Sequence, residues 1–289
     1  MTTFNAPPDQ VGLILNDGDT LNVNSGGTAS NTRINFGGVE YVYSGGVADH
    51  TTIDNTGHLR VLNGGVSNYT TVGDRSLEFV GDGGVSNHTT VDRGGIEGVV
   101  DGGVSNDAII HRGGRENLAG GVSNNTRLDA GGLESVSQDG VANHTTIGDH
   151  ADLNVQNGGV ANDTVIDRGG VETVHSGGQA NNVTFAGKSI LVLASPSELT
   201  GTVADWRIGD AIDLLNTKVT SVHETGGKLT VNYGQGQEVT YTLDAQQAHT
   251  HVAFRSDGHG GTELVLTPVV GLQNHEAAIH FGPGPHFFF

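Results

Sequence analysis

A 19-residue period runs through this 289-residue chain from about residue 20 to residue 187. Its marker is the last Gly before a [Val/Thr/Gln]-[Ala/Ser] step: Gly27, Gly46, Gly65, Gly84, Gly103, Gly121, Gly140, Gly159 and Gly178. Every step between markers is 19 residues except one of 18, which ends near Gly120, where a turn can absorb the deletion. A unit this short has no interior of its own. It can bury apolar side chains only by stacking on copies of itself.

The aligned units show which positions are shared. Seven residues after the marker stand Ile34, Ile53, Val72, Val91, Ile110, Leu128, Ile147, Ile166 and Phe185, all apolar. Fifteen after it stand Val42, Val61, Val80, Val99, Leu118, Val136, Val155 and Val174. One after it, valine fills Val47, Val66, Val85, Val104, Val122, Val141 and Val160. These three columns are expected to line a continuous core. Runs such as His88–Asp92 are β-branched and lack a 3.6-residue period, so the segments read as strands. Gly-Gly pairs between them supply the corners. The fold class that follows is all-β: a parallel β-helix, or β-solenoid, of about nine coils with a C-terminal β cap. At ~4.8 Å per coil the rod would be roughly 40 Å long.

Polar residues also form columns. Asn68, Asn87, Asn106, Asn124, Asn143, Asn162 and Asn181 are expected to make a structural amide ladder at a corner, or alternatively a ligand-reading row. Thr32, Thr51, Thr70, Thr89, Thr126, Thr145 and Thr164 stand two residues before a core position and read as an inward hydroxyl ladder, with sugar attachment at neighbouring exposed hydroxyls as the other reading. Glu40, Glu78, Glu97, Glu116, Glu134 and Glu172 lie beside an apolar position and are expected to form an outer acidic ridge. Such a ridge either keeps rods soluble or gathers Ca²⁺ or a basic partner; Glu78, Glu97, Glu116 and Glu134 would be its binding stretch. Four after the marker stand Asn31, His50, Tyr69, His88, Asp107, Asn125, His144, Asp163 and Asn182, where His88 and Asp107 could pair. Arg93, Arg112 and Arg168, with Asp92 and Asp167, look like turn ion pairs.

Composition limits the function. Lys+Arg number 13 against Asp+Glu 32, a formal net charge of −19. That field repels phosphate backbones and anionic lipid, so neither nucleic acid nor a membrane surface is an expected partner. There is no cysteine, hence no disulfide or thiolate site. No 18-residue apolar window is present, so no membrane insertion is expected. The opening MTTFNAPPDQ has neither a basic nor an apolar signal region, which points to an export address elsewhere. The domains read as an N-terminal cap (1–19), the repeats (20–187), a β-rich capping domain (188–268) and a tail (269–289) that could carry a secretion signal. Within the cap, 228–233 and 238–243 around Gly234-Gln235-Gly236 form one hairpin signature and 252–266 another. His249 and His251 on one strand face, with His259 across the hairpin, are surface histidines or a metal site.

The GGVSNxTTV units of residues 20 to 187 resemble the 19-residue repeat of AIDA-type autotransporter adhesins. The resemblance implies a right-handed parallel β-helix displayed on bacterial surfaces, acting in adhesion and self-association and often carrying sugars on Ser or Thr. Residues 209–214 and 256–262 are similar to a C-terminal module of type I secreted proteins, whose GGxGxD calcium motif has no good copy here. The expected function is therefore an extracellular adhesin or matrix scaffold, secreted or on the cell surface, binding a glycan, a host or cell surface, or itself. A glycosyltransferase acting on Ser/Thr is a further expected partner, and no cofactor is called for. The alternative is a carbohydrate-active β-helix lyase or hydrolase. The coils carry none of the long insertions that build such a cleft, and no nucleophile elbow or phosphate loop occurs, so no catalytic residue is assigned.

Overall fold

The computed structural model describes residues 1–81, 83–244 and 248–269. Each coil has three faces. A long face of four or five residues (Ile96–Val100) turns at Gly102-Gly103 into a middle face of three (Val104–Asn106). A second corner at Asp107 leads to a short face of two (Ile109–Ile110), and a third corner at Gly113-Gly114 returns the chain to the next long strand, Arg115–Ala119. Equivalent residues pair in parallel and in register. Leu77, Ile96, Arg115 and Leu133 are neighbours on the long face. Val66, Val85, Val104, Val122, Val141 and Val160 are neighbours on the middle face.

The long-face sheet has 14 strands, of which the last two, Thr262–Pro268 and Thr250–Ser256, run antiparallel. The parallel remainder runs from Thr3–Ala6 to Ala211–Leu214 and describes eleven turns. Coils therefore extend past both ends of the legible repeat. At the N-terminal end Thr3–Ala6 pairs with Thr20–Val23 although Pro7-Pro8 replaces Gly-Gly. At the other end Ile190–Leu193 and Ala211–Leu214 continue the stack. The 18-residue step drops its residue at the first corner, where Leu118-Ala119-Gly120-Gly121 stands for Val99-Val100-Asp101-Gly102-Gly103, and both registers continue undisturbed.

The core consists of inward columns that stack coil on coil. Ile34, Ile53, Val72, Val91 and Ile110 from the short face meet Val42, Val61, Val80 and Val99 from the long face, all with 0% exposure. The valines one after the marker are not part of it. On a three-residue strand side chains alternate, so the middle residue (Ser67, Ala142) points in while Val66 and Asn68, or Val141 and Asn143, point out and stay half-buried.

Two different demands select the Gly-Gly corner. Gly64 has φ +81°, a conformation that costs an L-residue energy. At Gly65 the constraint is space: a Cβ there would lie 2.4 Å from the Val42 carbonyl oxygen of the preceding coil.

At the C-terminal end Trp206, fully buried, packs on Phe185 with ring centroids 6.0 Å apart, and the core continues through Leu214, Leu229, Tyr241 and Leu264 of the cap. An antiparallel meander, Val219–Thr225, Lys228–Tyr233 and Gln237–Asp244, docks beside it. Tyr241 is anchored there by donating its hydroxyl proton to the Pro196 carbonyl at 2.7 Å. Both hairpins of the sequence reading are present. The expected tail lies, from residue 270 on, outside the described residues. No helix among the described residues is long and apolar enough to cross a membrane.

Candidate binding faces and a buried carboxyl column

The glutamate column is inside the rod. Glu40, Glu78, Glu97, Glu116, Glu134 and Glu172 are all 0% exposed, so the expected outer ridge does not exist. The reason is the strand period. Each Glu stands two residues before an inward Val or Leu (Val42, Val80, Val99, Leu118, Val136, Val174), and residues two apart share a side. A carboxyl here cannot meet calcium or a partner on the surface.

The coils supply hydroxyls to these carboxyls. Ser67 donates to Glu78 at 2.6 Å, Ser86 to Glu97 at 2.6 Å and Ser123 to Glu134 at 3.0 Å. Serine takes this inward middle-face position in the four successive coils that hold Glu78, Glu97, Glu116 and Glu134, while Ala29, Ala48, Ala142, Ala161 and Ala180 take it elsewhere. The following coil donates a threonine: Thr51 to Glu40 at 3.3 Å, Thr89 to Glu78 at 2.8 Å, Thr126 to Glu116 at 3.0 Å and Thr145 to Glu134 at 2.9 Å. The inward Thr51, Thr70, Thr89, Thr126 and Thr145 thus serve the glutamates, while the buried Thr32 hydroxyl has no partner among the described residues. Where the next coil offers Ala108 or Val183 instead, Glu97 Oε2 and both Glu172 carboxyl oxygens have no partner.

Burial pushes every one of these carboxyls upward, to about 8 at Glu40, Glu97 and Glu172 and about 7 at Glu134. Glu116 is raised well above the ordinary range by burial and then by its neighbours Glu134 and Glu97. Glu78, with three hydroxyl donors opposing its burial, is also raised. In mildly acidic solution Glu40, Glu97, Glu134 and Glu172 are held as neutral acids.

The middle face carries the amide row. Asn87 donates to Asn68 at 3.0 Å, Asn106 to Asn87 at 3.0 Å, Asn124 to Asn106 at 2.9 Å, Asn143 to Asn124 at 3.0 Å, Asn162 to Asn143 at 2.9 Å and Asn181 to Asn162 at 2.8 Å. The left-handed corner residue is the next one along, not the Asn: Asn31, His50, Tyr69, His88, Asp107, Asn125, His144, Asp163 and Asn182 have φ of 53° to 60°. Here His50, Tyr69 and His88 stack with centroids 5.0 and 4.9 Å apart. His88 Nδ1 lies 3.8 Å from Asp107 Oδ2, in an exposed pair. On the short face the second Thr of each Thr-Thr pair (Thr52, Thr71, Thr90, Thr146) points outward, half-exposed.

The third corner departs from the expected ion pairs. His111 takes Asp92 at 2.8 Å and reaches Asp129 at 3.3 Å, and Arg127 Nε donates to Asp129 at 2.8 Å. Arg93, Arg112 and Arg168 have no ion pair among the described residues. The stems of Arg93 and Arg112 lie along Gly113 and Gly131 of the coil above, whose Cβ atoms, if present, would stand 3.2 and 3.1 Å from the Arg Cγ. A recess of about 470 Å³ opens between Arg112, Ala130, Gly131, Asp149 and His150. It meets another of about 460 Å³ formed by Asp149, His150, Arg168, Gly169 and Lys188. The sequence did hold a signal for this recess: Ala130 interrupts the column of Arg93, Arg112 and Arg168.

In the cap, His251 Nε2 sits 3.1 Å from the Thr267 hydroxyl. Among the described residues no three His, Cys, Asp or Glu side chains are placed to hold a metal, so His249, His251 and His259 are not assembled into a site.

A parallel solenoid with in-register outer columns defines a class of rod-like repeat proteins. The family described as "Adhesin of bacterial autotransporter system, probable stalk" (AIDA) matches residues 11–57, 41–95 and 117–170. Among solved structures, the hyper-glycosylated fragment of TibA, modified by TibC, is 30% identical with a TM-score of 0.68, over 72% of this chain and 76% of that one. This chain belongs to the AIDA family of bacterial autotransporter adhesin stalks, a family of bacterial surface or secreted proteins. No match was found among curated proteins.

Proposed function

We propose that the chain is the rod of an extracellular adhesin or matrix scaffold that holds a glycan, a surface or a sister rod against its outer columns. The observation that supports this is the register. From Val66 to Val160 the same outward Val and Asn recur coil after coil, bonded sideways into a fixed array, so a repeating ligand meets repeating contacts. The outward hydroxyls of Thr52, Thr71, Thr90 and Thr146 are the natural acceptors for a glycosyltransferase on Ser/Thr, as the glycosylated state of TibA suggests. Type I export through the C-terminal region is part of the same reading, and the mass of the protein recovered from culture medium reports both export and added sugar. The decisive test uses cells displaying the chain with residues 66–103, two whole coils, excised. Aggregation or surface binding should weaken. Adhesion equal to that of the full chain would refute the reading.

A further inference from the structure

We infer that the third corner carries a binding recess for an acidic polysaccharide, one bearing carboxylate or sulfate groups along its length. This rests on reading the rod as an adhesin and names the ligand class for one edge of it.

The argument begins with where the cations are. The chain has 13 Lys and Arg against 32 Asp and Glu, yet Arg75, Arg93, Arg112, Arg127, Arg168 and Lys188 all stand at or beside this one corner. Arg75 and Arg127 are engaged, by Asp74 at 3.6 Å and by Asp129. Arg93, Arg112, Arg168 and Lys188 are exposed and have no ion pair among the described residues, although the chain is rich in carboxylates. The stems of Arg93, Arg112 and Lys188 are not loose. Arg93 lies along Gly113, Arg112 along Gly131, and Lys188 Cγ sits 3.0 Å from where Gly209 would carry a Cβ. A cation braced against backbone and left unpaired has lost part of its freedom before any ligand arrives, which lowers the cost of binding an anion.

The spacing suits a chain-like ligand. Arg112 and Arg168 are three coils apart, roughly 14 Å at ~4.8 Å per coil, and Lys188 is one coil further. Between them Ala130 and Gly131 leave the recess open to the backbone, so a flat sugar ring can enter where an arginine would otherwise project. Its middle wall is Asp149 and His150, whose Oδ1 and Nδ1 are 2.7 Å apart; both side chains are exposed and able to bond sugar hydroxyls. The alternation of charge favours a saccharide over a nucleic acid. Asp92, Asp129, Asp149 and Asp167 lie along the same edge of a chain with net charge −19, and they repel densely spaced phosphates while offering acceptors to hydroxyls.

The test uses the full chain in low salt against immobilised polygalacturonate, kappa-carrageenan (one sulfate per disaccharide), neutral dextran and duplex DNA. At least one acidic polysaccharide should bind, weakening as salt rises, and the two arms separate carboxylate from sulfate recognition. The double variant Arg112→Ser/Arg168→Ser should lose about tenfold or more. Ala130→Trp, which fills the recess without changing charge, should lose a similar factor, while Arg60→Ser on the long face should bind as the parent does. Circular dichroism confirms the fold of each. Neutral dextran or duplex DNA held as tightly as the acidic polymers overturns the inference, as does full binding by the double variant or by Ala130→Trp. If coil excision abolishes adhesion while these recess variants bind unchanged, the recess falls and the adhesin reading stands.

Discussion

At Glu97 one carboxyl oxygen has a serine and the other has nothing, because Ala108 stands where other coils place threonine. An unpaired buried acceptor costs about 1–3 kcal/mol. Ala108→Thr should therefore raise stability by about 1 kcal/mol, seen as a higher melting temperature; a lower one would mean the hydroxyl cannot reach. The column as a whole sets a pH dependence. Burial pushes Glu40, Glu97 and Glu172 from the ordinary 4.5 up to about 8 and Glu134 to about 7, and raises Glu78 and Glu116 in the same direction. Between those values the folded chain holds more protons than the unfolded one, so stability falls as pH rises. Melting temperature should drop from pH 5 to pH 9, and Glu97→Gln should flatten the drop; a rise over that range would contradict the buried acids. The sequence carried this placement, since Glu78 is two residues from Val80. What hides it is that ionisable side chains almost always face water, a rule that fails where hydroxyls from two coils meet the carboxyl.

The element that repeats is a strand ending in a corner, and its two glycines are needed for different reasons. Gly64→Ala meets only a left-handed backbone, with the nearest atom 3.7 Å from the new Cβ, and should cost about 1–2 kcal/mol. Gly65→Ala drives a methyl to 2.4 Å from the Val42 carbonyl oxygen and should cost markedly more. Denaturant titration of the pair checks the order, and equal losses would show that the coils can part locally. Corners were the most readable elements, since a 19-residue rhythm of Gly-Gly pairs has few other meanings. The faces between them were less so. Val66, Val85 and Val104 form an unbroken apolar column yet point outward, because a column of valines looks the same on either side of a sheet. The end coils were hidden for a different reason. Stacking asks only for inward apolar residues in register, such as Ala6 on Val23 and Leu193 on Val174, and these persist after the motif itself has decayed.

At the scale of the whole molecule, a stack in which each coil touches only its neighbours makes length a variable independent of fold. Excising residues 66–103 joins Gly65 to Val104, a Gly-Val step like the one removed, and brings the His58–Val61 strand against Arg115–Ala119. Inward residues still meet inward residues: Ile53 faces Ile110, Ala48 faces Ser105, and Val61 faces Leu118. The shortened protein should keep its β circular dichroism and lose roughly 10 Å of length by small-angle scattering, two coils at ~4.8 Å each. Excising residues 66–93 instead removes one coil and half of another. Gly65 then runs into Gly94, and a long strand is forced where a middle strand belongs, so Glu97 and Val99 must pair with positions built for Ala48 and its neighbours. That variant should unfold or aggregate even though it loses fewer residues. If the two excisions behave alike, the in-register stack is not what holds the rod together, and binding by repeated columns loses its physical basis.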